Sequence, residues 1–312
     1  MGELRKDYVL DRYVIISTDR ARRPDQFKQE AKKESPDVDF FSRGNENMTP
    51  PEIERFPKDT KEWLLRVFPN KFPAVKPQGN SSMSTANNFF TFSNSFGFHE
   101  VIADTPEINQ QLADMSEEHI ANLFKLISKR IDINMNCEGI NYVSVFKNQG
   151  EEAGTSIKHS HCQLVAYNLV PEIIRKKEEK VKLHKQCPYC SIINIEKSSH
   201  RRCYENPSFA AFTPYASRFP FEIWVFPKRH VMNITEFSEQ EFVFLSEIMK
   251  KILVKLKSLN ADYNFYFQYG IENLHFHIEI TPRLSKWAGF ELSTGTIINS
   301  MTPEDAAEFY RS

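Results

Sequence analysis

The chain lacks a marked charge imbalance: 40 Lys and Arg against 41 Asp and Glu leave a formal net charge of −1 over 312 residues. That argues against a nucleic-acid partner, so any phosphate-handling site has to be local. Cysteine is scarce and odd in number, at Cys137, Cys162, Cys187, Cys190 and Cys203. Five thiols with one close pair do not make a disulfide framework. No apolar run approaches the length needed to span a bilayer, and Met1 to Lys6 leads into none long enough for a secretory signal. The expectation is a reduced, cytoplasmic protein with no membrane partner.

What is present is globular in balance. Forty per cent of residues are hydrophobic and 26% charged, in a chain long enough for one large domain or two ordinary ones. The 26 Phe and 11 Tyr fit a β-rich core. Tyr8 to Ser17 reads as strand broken at Leu10 to Arg12, residues 28–60 as a long loop, and 76–88 as a second loop.

From residue 100 the order becomes regular, and then repeats. A strand at Glu100 to Ala103 ends at Thr105-Pro106. A helix follows, N-capped by Ser116, with Ile120, Leu123, Phe124, Ile127 and Ile131 as its apolar stripe. A strand at Tyr142 to Phe146, a polar loop, and His159-Ser160-His161-Cys162-Gln163 complete the unit. The second copy runs from a strand at Glu222 to Pro227 through a helix opened by a Ser238/Glu241 capping box. That helix has the stripe Phe242, Leu245, Ile248, Met249 and Ile252, and a strand at Tyr263 to Tyr269 leads to His275-Phe276-His277-Ile278-Glu279. Glu100 to His159 spans 59 residues and Glu222 to His275 spans 53. The order predicts an α+β protein of two related halves.

Alternate residues of a strand share a face, so His159, His161 and Gln163 project together, as do His275, His277 and Glu279. The first copy is preceded by Asn148 to Ser156, whose Gly150, Gly154, Thr155 and Ser156 suit backbone N–H groups curling round a phosphate. Glu279 would repel a phosphate, whereas Gln163 can donate to one, so the first copy is the better phosphate site. Histidine is a competent nucleophile toward phosphorus because it is partly neutral at pH 7. Cys162 should face the core. The charged run Arg175 to Lys180 reads as a solvated helix face.

Cys187-Pro188-Tyr189-Cys190 has the spacing with which two thiolates grip one tetrahedral zinc. No second such pair exists, so histidine has to complete the site, from among His184, His200, His230, His275 and His277. Four protein ligands would make it structural.

Several segments together carry a family resemblance: Arg20 to Pro24, Pro69 to Pro73, Val145 to Gln163, Phe219 to Glu222, Pro227 to His230, and Gly289 to Glu291. The chain resembles the galactose-1-phosphate uridylyltransferases and their ADP-glucose phosphorylase relatives in the duplicated histidine-triad (HIT) superfamily. The resemblance implies two tandem HIT-like halves, each an antiparallel sheet packed with helices, at 1–170 and 171–312. It implies His161 as the residue that becomes nucleotidylated, with Gln163 and Ser156 acting on the phosphoryl group. It implies Asn148, Gly154 and Thr155 as phosphate contacts, Arg20, Arg23, Asn70 and Phe72 as nucleotide contacts, and Phe290 and Glu291 in the sugar region. Cys187, Cys190, His230 and His275 match a zinc site of the phosphorylase branch. A homodimer is implied as well.

Two departures qualify the resemblance. Many members hold another zinc with an N-terminal Cys pair, a His and the first His of the triad. Here Asp39 and Ser42 replace both Cys, and Ile108 stands near the position of the His, so this N-terminal zinc site is expected to be lost. The C-terminal segment Gly289 to Asn299 is closer to the phosphorylase pattern. The expected reaction is transfer of UMP or AMP from a nucleoside diphosphate hexose, through a nucleotidyl-His, to a hexose 1-phosphate or to phosphate. A dinucleoside polyphosphate phosphorylase or hydrolase and a non-catalytic nucleotide-binding module are the alternatives.

Overall fold

The charged start of the chain pairs with the segment after it. In a computed structural model, which describes residues 3–16, 39–270 and 272–312, β1 (Glu3–Lys6) runs antiparallel to β2 (Tyr13–Ile16). Tyr8 lies in the turn between them, not in a strand. The Asp7 carboxylate accepts the Val9 and Leu10 N–H groups at 3.0 and 2.9 Å, and this local capping competes with extension.

The described chain forms two compact units. The first comprises residues 37–147 and 157–172. It holds β3 (Glu54–Phe56), β4 (Leu65–Pro69), the small hairpin of β5 (Ser84–Ala86) and β6 (Phe90–Phe92), and β7 (Gly97–Ala103). Then come α1 (Glu117–Met135), β8 (Tyr142–Gln149) and β9 (His161–Tyr167). Ser116 caps α1 by accepting the His119 N–H at 3.1 Å. All five predicted stripe residues of α1 are fully buried. The sheet is antiparallel throughout, in the order β8-β9-β7-β4-β3.

The second unit comprises the described parts of 1–36, with 148–156 and 173–312. It contains α2 (Glu172–Lys182), α3 (Pro188–Glu196), β10 (Arg202–Glu205), β11 (Phe209–Phe212), β12 (Ile223–Pro227) and α4 (Glu239–Ser258). After these come β13 (Tyr263–Gln268), β14 (His277–Pro282), α5 (Gly289–Thr294), β15 (Ile297–Asn299) and α6 (Pro303–Arg311). Ser238 and Glu241 close the predicted capping box of α4. Its sheet is antiparallel in the order β13-β14-β12-β11-β10, strand for strand the order of the first unit, and α4 joins β12 to β13 as α1 joins β7 to β8. The α+β duplication predicted from the sequence is therefore present. β15 pairs parallel to β2 and buries Val14, Ile16, Ala216 and Ile297 as a separate cluster. No helix among the described residues is long and apolar enough to cross a membrane.

Candidate active site and metal cluster

In the first unit β8 and β7 flank the histidine strand β9, and β4 lies beyond β7. The register sets Ala103 opposite His161 and Val101 opposite Gln163, with Phe68 opposite Val101. These positions share one face, which Phe41 and Trp63 cover in an apolar cluster with Phe68, Val101 and Ala103. Phe41 meets the His161 ring edge-on at 5.4 Å. On the opposite face Cys162 is fully buried, as expected.

His161 is buried, and its Nδ1 lies 2.8 Å from the His159 carbonyl. A carbonyl only accepts, so Nδ1 carries the proton and the lone pair remains on Nε2. Burial, reinforced by the Lys147 ammonium, lowers its pKa to about 4, against the opposing pull of the backbone contact and Asp104. The imidazole is thus neutral across the physiological range.

Beneath this strand lies a fully buried ion pair. Lys147 Nζ donates to Asp104 Oδ2 at 2.5 Å, to Ser160 Oγ at 2.8 Å and to the His161 carbonyl at 3.2 Å. Ser160 Oγ also donates to Asp104 Oδ2. Burial alone would raise the Asp104 pKa, but Lys147 overrides it and holds the carboxyl below its ordinary value. His159 is held at both ring nitrogens, with Nδ1 3.0 Å from Asp39 Oδ1 and Nε2 2.7 Å from the Thr105 carbonyl. Asp39, which stands where the resemblance expects a Cys, also accepts the Phe41 and Ser42 N–H groups and so shapes the segment over the site.

Gln163 Oε1 lies 2.9 Å from His99 Nε2. Asn70 Nδ2 is 3.3 Å from the same nitrogen, while Asn70 Oδ1 accepts the Phe72 N–H at 2.8 Å. The structure thus brings Asn70, Phe72 and Gln163 together round a residue the sequence reading missed. Phe72 itself projects into solvent, 83% exposed. His99 carried a weak signal, as a histidine two residues before Val101, but the register that sets it beside Gln163 comes only from the β7–β9 pairing. Arg20 and Arg23 lie outside the described residues.

The loop of the second unit that the sequence marked for phosphate is built on short contacts. Gly154 has φ +83°, and Gly150 has φ +88° with its missing side chain facing Asp262, whose carboxylate lies 2.0 Å from where a Cβ would stand. Asp262 Oδ2 accepts the Glu152 N–H at 2.8 Å. Asn264 donates to Asn148 Oδ1 and to the Ala153 carbonyl, both at 2.8 Å, and Thr155 Oγ1 donates to the Asn148 carbonyl at 3.0 Å. Ser156 is exposed. Asp262 and Asn264 were not singled out from the sequence, because ordinary polar residues at the start of a strand announce nothing until the loop they hold is known. Phe290 and Glu291 lie on α5, where Phe290 is exposed and Glu291 caps the helix by accepting the Ala288 N–H at 2.9 Å.

The second histidine strand repeats the first and departs from it at one point. His277 Nδ1 lies 2.9 Å from the His275 carbonyl, as His161 does from that of His159. Glu279 does not present a bare charge. Lys177 Nζ donates to Glu279 Oε1 at 2.6 Å, and Arg218 donates to Glu279 Oε2 at 2.5 Å and to Glu222 at 2.7 Å. Lys177 is therefore a buried residue, which corrects the reading of 175–180 as a solvated face. A helix stripe of charge looks solvated until a buried carboxylate of another element claims one member.

Cys187, Cys190, His230 and His275 form one cluster, with ligand atoms all within 4.8 Å of one another. Cys190 Sγ lies 3.5 Å from Nδ1 of both His230 and His275. Tetrahedral zinc with Zn–S of ~2.3 Å and Zn–N of ~2.0–2.1 Å separates S and N by roughly 3.5 Å, so the donor set and spacing fit. The His275 Nε2–H donates to the Pro227 carbonyl at 2.9 Å, which leaves Nδ1 as the ligating atom. Cys187 and Cys190 flank the first turn of α3, where Pro188 fixes the start of the helix. Of the five candidate histidines, His230 and His275 join this group.

Comparison with known proteins agrees with this architecture. A family model described as the N-terminal domain of galactose-1-phosphate uridyl transferase matches residues 2–171, and a domain of unknown function (DUF4921) matches 99–309. The ADP-glucose phosphorylase of Arabidopsis thaliana is 34% identical, over 99% of this chain and 92% of that protein. The galactose-1-phosphate uridylyltransferase of Thermotoga maritima is 29% identical, over 100% of this chain and 98% of that protein. The crystal structure of an ADP-glucose phosphorylase from Arabidopsis thaliana with bound ADP-glucose superposes with a TM-score of 0.86 at 32% identity, covering 100% of this chain and 99% of that one. On the model match to more than half its length and on these relatives, the chain belongs to the galactose-1-phosphate uridylyltransferase family.

Proposed function

We propose that the protein is a nucleotidyltransferase acting on hexose 1-phosphates. It takes UMP or AMP from a nucleoside diphosphate hexose onto His161 Nε2 and passes it to a phosphate acceptor. The observation that carries this reading is the state of His161: neutral, tautomer fixed by the His159 carbonyl, lone pair on Nε2. In the first step the Nε2–P bond forms, the bond from α-phosphorus to the bridging oxygen breaks, and hexose 1-phosphate leaves. In the second, the acceptor's phosphate oxygen attacks and returns the electron pair to Nε2. Gln163, Gly154, Thr155 and Ser156 stabilise the charge on the phosphoryl oxygens. Asn148 contacts the phosphate, Asn70, Phe72, Arg20 and Arg23 hold the nucleotide, and Phe290 and Glu291 contact the sugar. The family's relatives include both a uridylyltransferase and an ADP-glucose phosphorylase. The 34% identity to the latter, against 29% to the former, favours ADP-glucose with inorganic phosphate as the second form of the same reaction.

The test is intact-protein mass spectrometry after separate incubation with UDP-glucose and ADP-glucose. A UMP adduct assigns uridylyl transfer, an AMP adduct the phosphorylase form, and no adduct from either donor removes the covalent reading. The rate of adduct formation should be flat from neutral pH down to about 5 and halve near 4, because only protonation of Nε2 stops attack. A midpoint near the ordinary histidine value of 6.5 would contradict the buried neutral nucleophile.

The same reading includes one structural zinc at Cys187, Cys190, His230 and His275, in a cytoplasmic homodimer. Elemental analysis should give one zinc per chain, lost in Cys190→Ser together with a marked fall in melting temperature, since binding free energy of such a site is folding free energy. Iron at equal stoichiometry refutes the zinc assignment, and sedimentation at the mass of one chain refutes the dimer.

A further inference from the structure

His99 faces three polar groups that can be told apart by chemistry. The Ala74 backbone N–H is directed at His99 Nδ1 at 3.1 Å, and a backbone N–H can only donate. Nδ1 is therefore the acceptor of the ring. A neutral imidazole has one lone pair, so the proton must be on Nε2. Burial lowers the proton affinity of His99, which keeps the ring in this neutral form. Among the described residues Nε2–H then has one acceptor in reach, Gln163 Oε1 at 2.9 Å. Asn70 Nδ2, at 3.3 Å, is itself a donor, and its amide cannot turn without giving up the Phe72 N–H held by Oδ1.

An amide of glutamine is otherwise free to present either end. With Oε1 committed to His99, only the NH2 end of Gln163 is left to face a ligand, and an NH2 group is the end a phosphoryl oxygen requires. The strand register supports the contact: His99 lies opposite Val165, one step diagonal from Gln163 on the same face. Asn70 N donates to the His99 carbonyl at 2.7 Å, which ties the backbone of that strand end to the segment carrying Phe72.

We infer that His99 is a positioning residue that locks the Gln163 amide with its NH2 toward the phosphoryl group, through an Nε2–H tautomer imposed by the Ala74 backbone. The functional part of this rests on the nucleotidyl-transfer reading above; the tautomer and amide orientation do not.

Two substitutions separate orientation of Gln163 from anchoring of the 73–75 segment. Asparagine reaches the Nδ1 position and can still accept the Ala74 N–H, but it has no atom at Nε2. Glutamine reaches the Nε2 position and can donate to Gln163. His99→Asn is expected to slow adduct formation about 10–100-fold, the usual loss for removing such a supporting hydrogen bond, with His99→Gln within about fivefold of the parent. In a Gln163→Ala background His99→Asn should change the rate by less than about twofold, because the group it acts through is gone. Equal losses in His99→Asn and His99→Gln, or full additivity with Gln163→Ala, overturn the proposal. Imidazole nitrogen NMR of the full chain supplies a readout independent of activity. His99 should appear as the neutral Nε2–H form at neutral pH, and a protonated ring or an Nδ1–H form overturns the proposal whether or not any donor labels the protein. Absence of an adduct in the parent protein, with the Nε2–H form observed, discards the nucleotidyl-transfer reading and leaves the amide lock standing.

Discussion

Replacing His161 by alanine is expected to remove the nucleotidyl adduct entirely and to lower turnover by roughly 10⁴–10⁶-fold, the loss typical of deleting a covalent nucleophile. The fold should survive. The hydrogen bond of His161 is a local one to the His159 carbonyl, worth about 1 kcal/mol, and its ring packs edge-on against Phe41. The measurement is single-turnover release of hexose 1-phosphate together with intact mass, on His161→Ala protein whose melting temperature lies within a few degrees of the parent. Gln163→Ala is the companion. It keeps the nucleophile, so it should still form the adduct, about 10²–10³-fold more slowly. A His161→Ala protein that still carries the nucleotide would place the nucleophile elsewhere. His277 offers no alternative lone pair toward solvent, since it is fully buried against Phe226 with ring centroids 4.6 Å apart.

The contrast between the two histidine strands explains what could be read from the chain alone. Their shared parts are periodic: the stripes of α1 and α4, the caps at Ser116 and Ser238, and the alternation in His159 to Gln163 and His275 to Glu279. Each is a local pattern, so the duplication and the placing of His161 and Gln163 on one strand face follow from sequence order. In the cluster of Cys187, Cys190, His230 and His275 the cysteine pair was legible from its spacing, but the partner histidines stood among five candidates, because 40 or more residues separate the cysteines from either histidine. What remained hidden depends on pairing between distant segments. Lys177 looks solvated until Glu279 is set opposite it, and His99 looks like a strand residue until β7 lies against β9. Lys147 and Asp104 are alike in this: 43 positions apart, each is unremarkable until the sheet buries both.

That buried pair should be the most sensitive stability element of the first unit. Both side chains have no solvent exposure, and Lys147 spends its donors on Asp104, Ser160 and the His161 carbonyl. Lys147→Met leaves a carboxylate in an apolar interior with the Ser160 hydroxyl and the Cys162 thiol as its remaining side-chain partners. Breaking such a pair from one side costs about 3–5 kcal/mol, and at ~2–4 °C per kcal/mol for a domain of this size the melting temperature should fall by roughly 10 °C. The double substitution Lys147→Met/Asp104→Leu should regain most of the loss, since an apolar pair needs no partner. The pH dependence gives the sign. In the parent, Asp104 has a folded pKa below 3.8, so its contribution is present above that value and is lost as pH falls. In Lys147→Met the uncompensated burial raises the folded pKa, so the penalty is absent at low pH and grows as pH rises through that raised value. The gap between the two proteins should therefore narrow toward pH 4, as read by denaturant unfolding at a series of pH values. A gap that stays constant with pH would mean that lost packing, not the stranded carboxylate, accounts for the destabilisation. Because the His161 carbonyl is one of Lys147's acceptors, the single variant should also form the nucleotidyl adduct more slowly while the double variant, though restabilised, should not recover the parent rate.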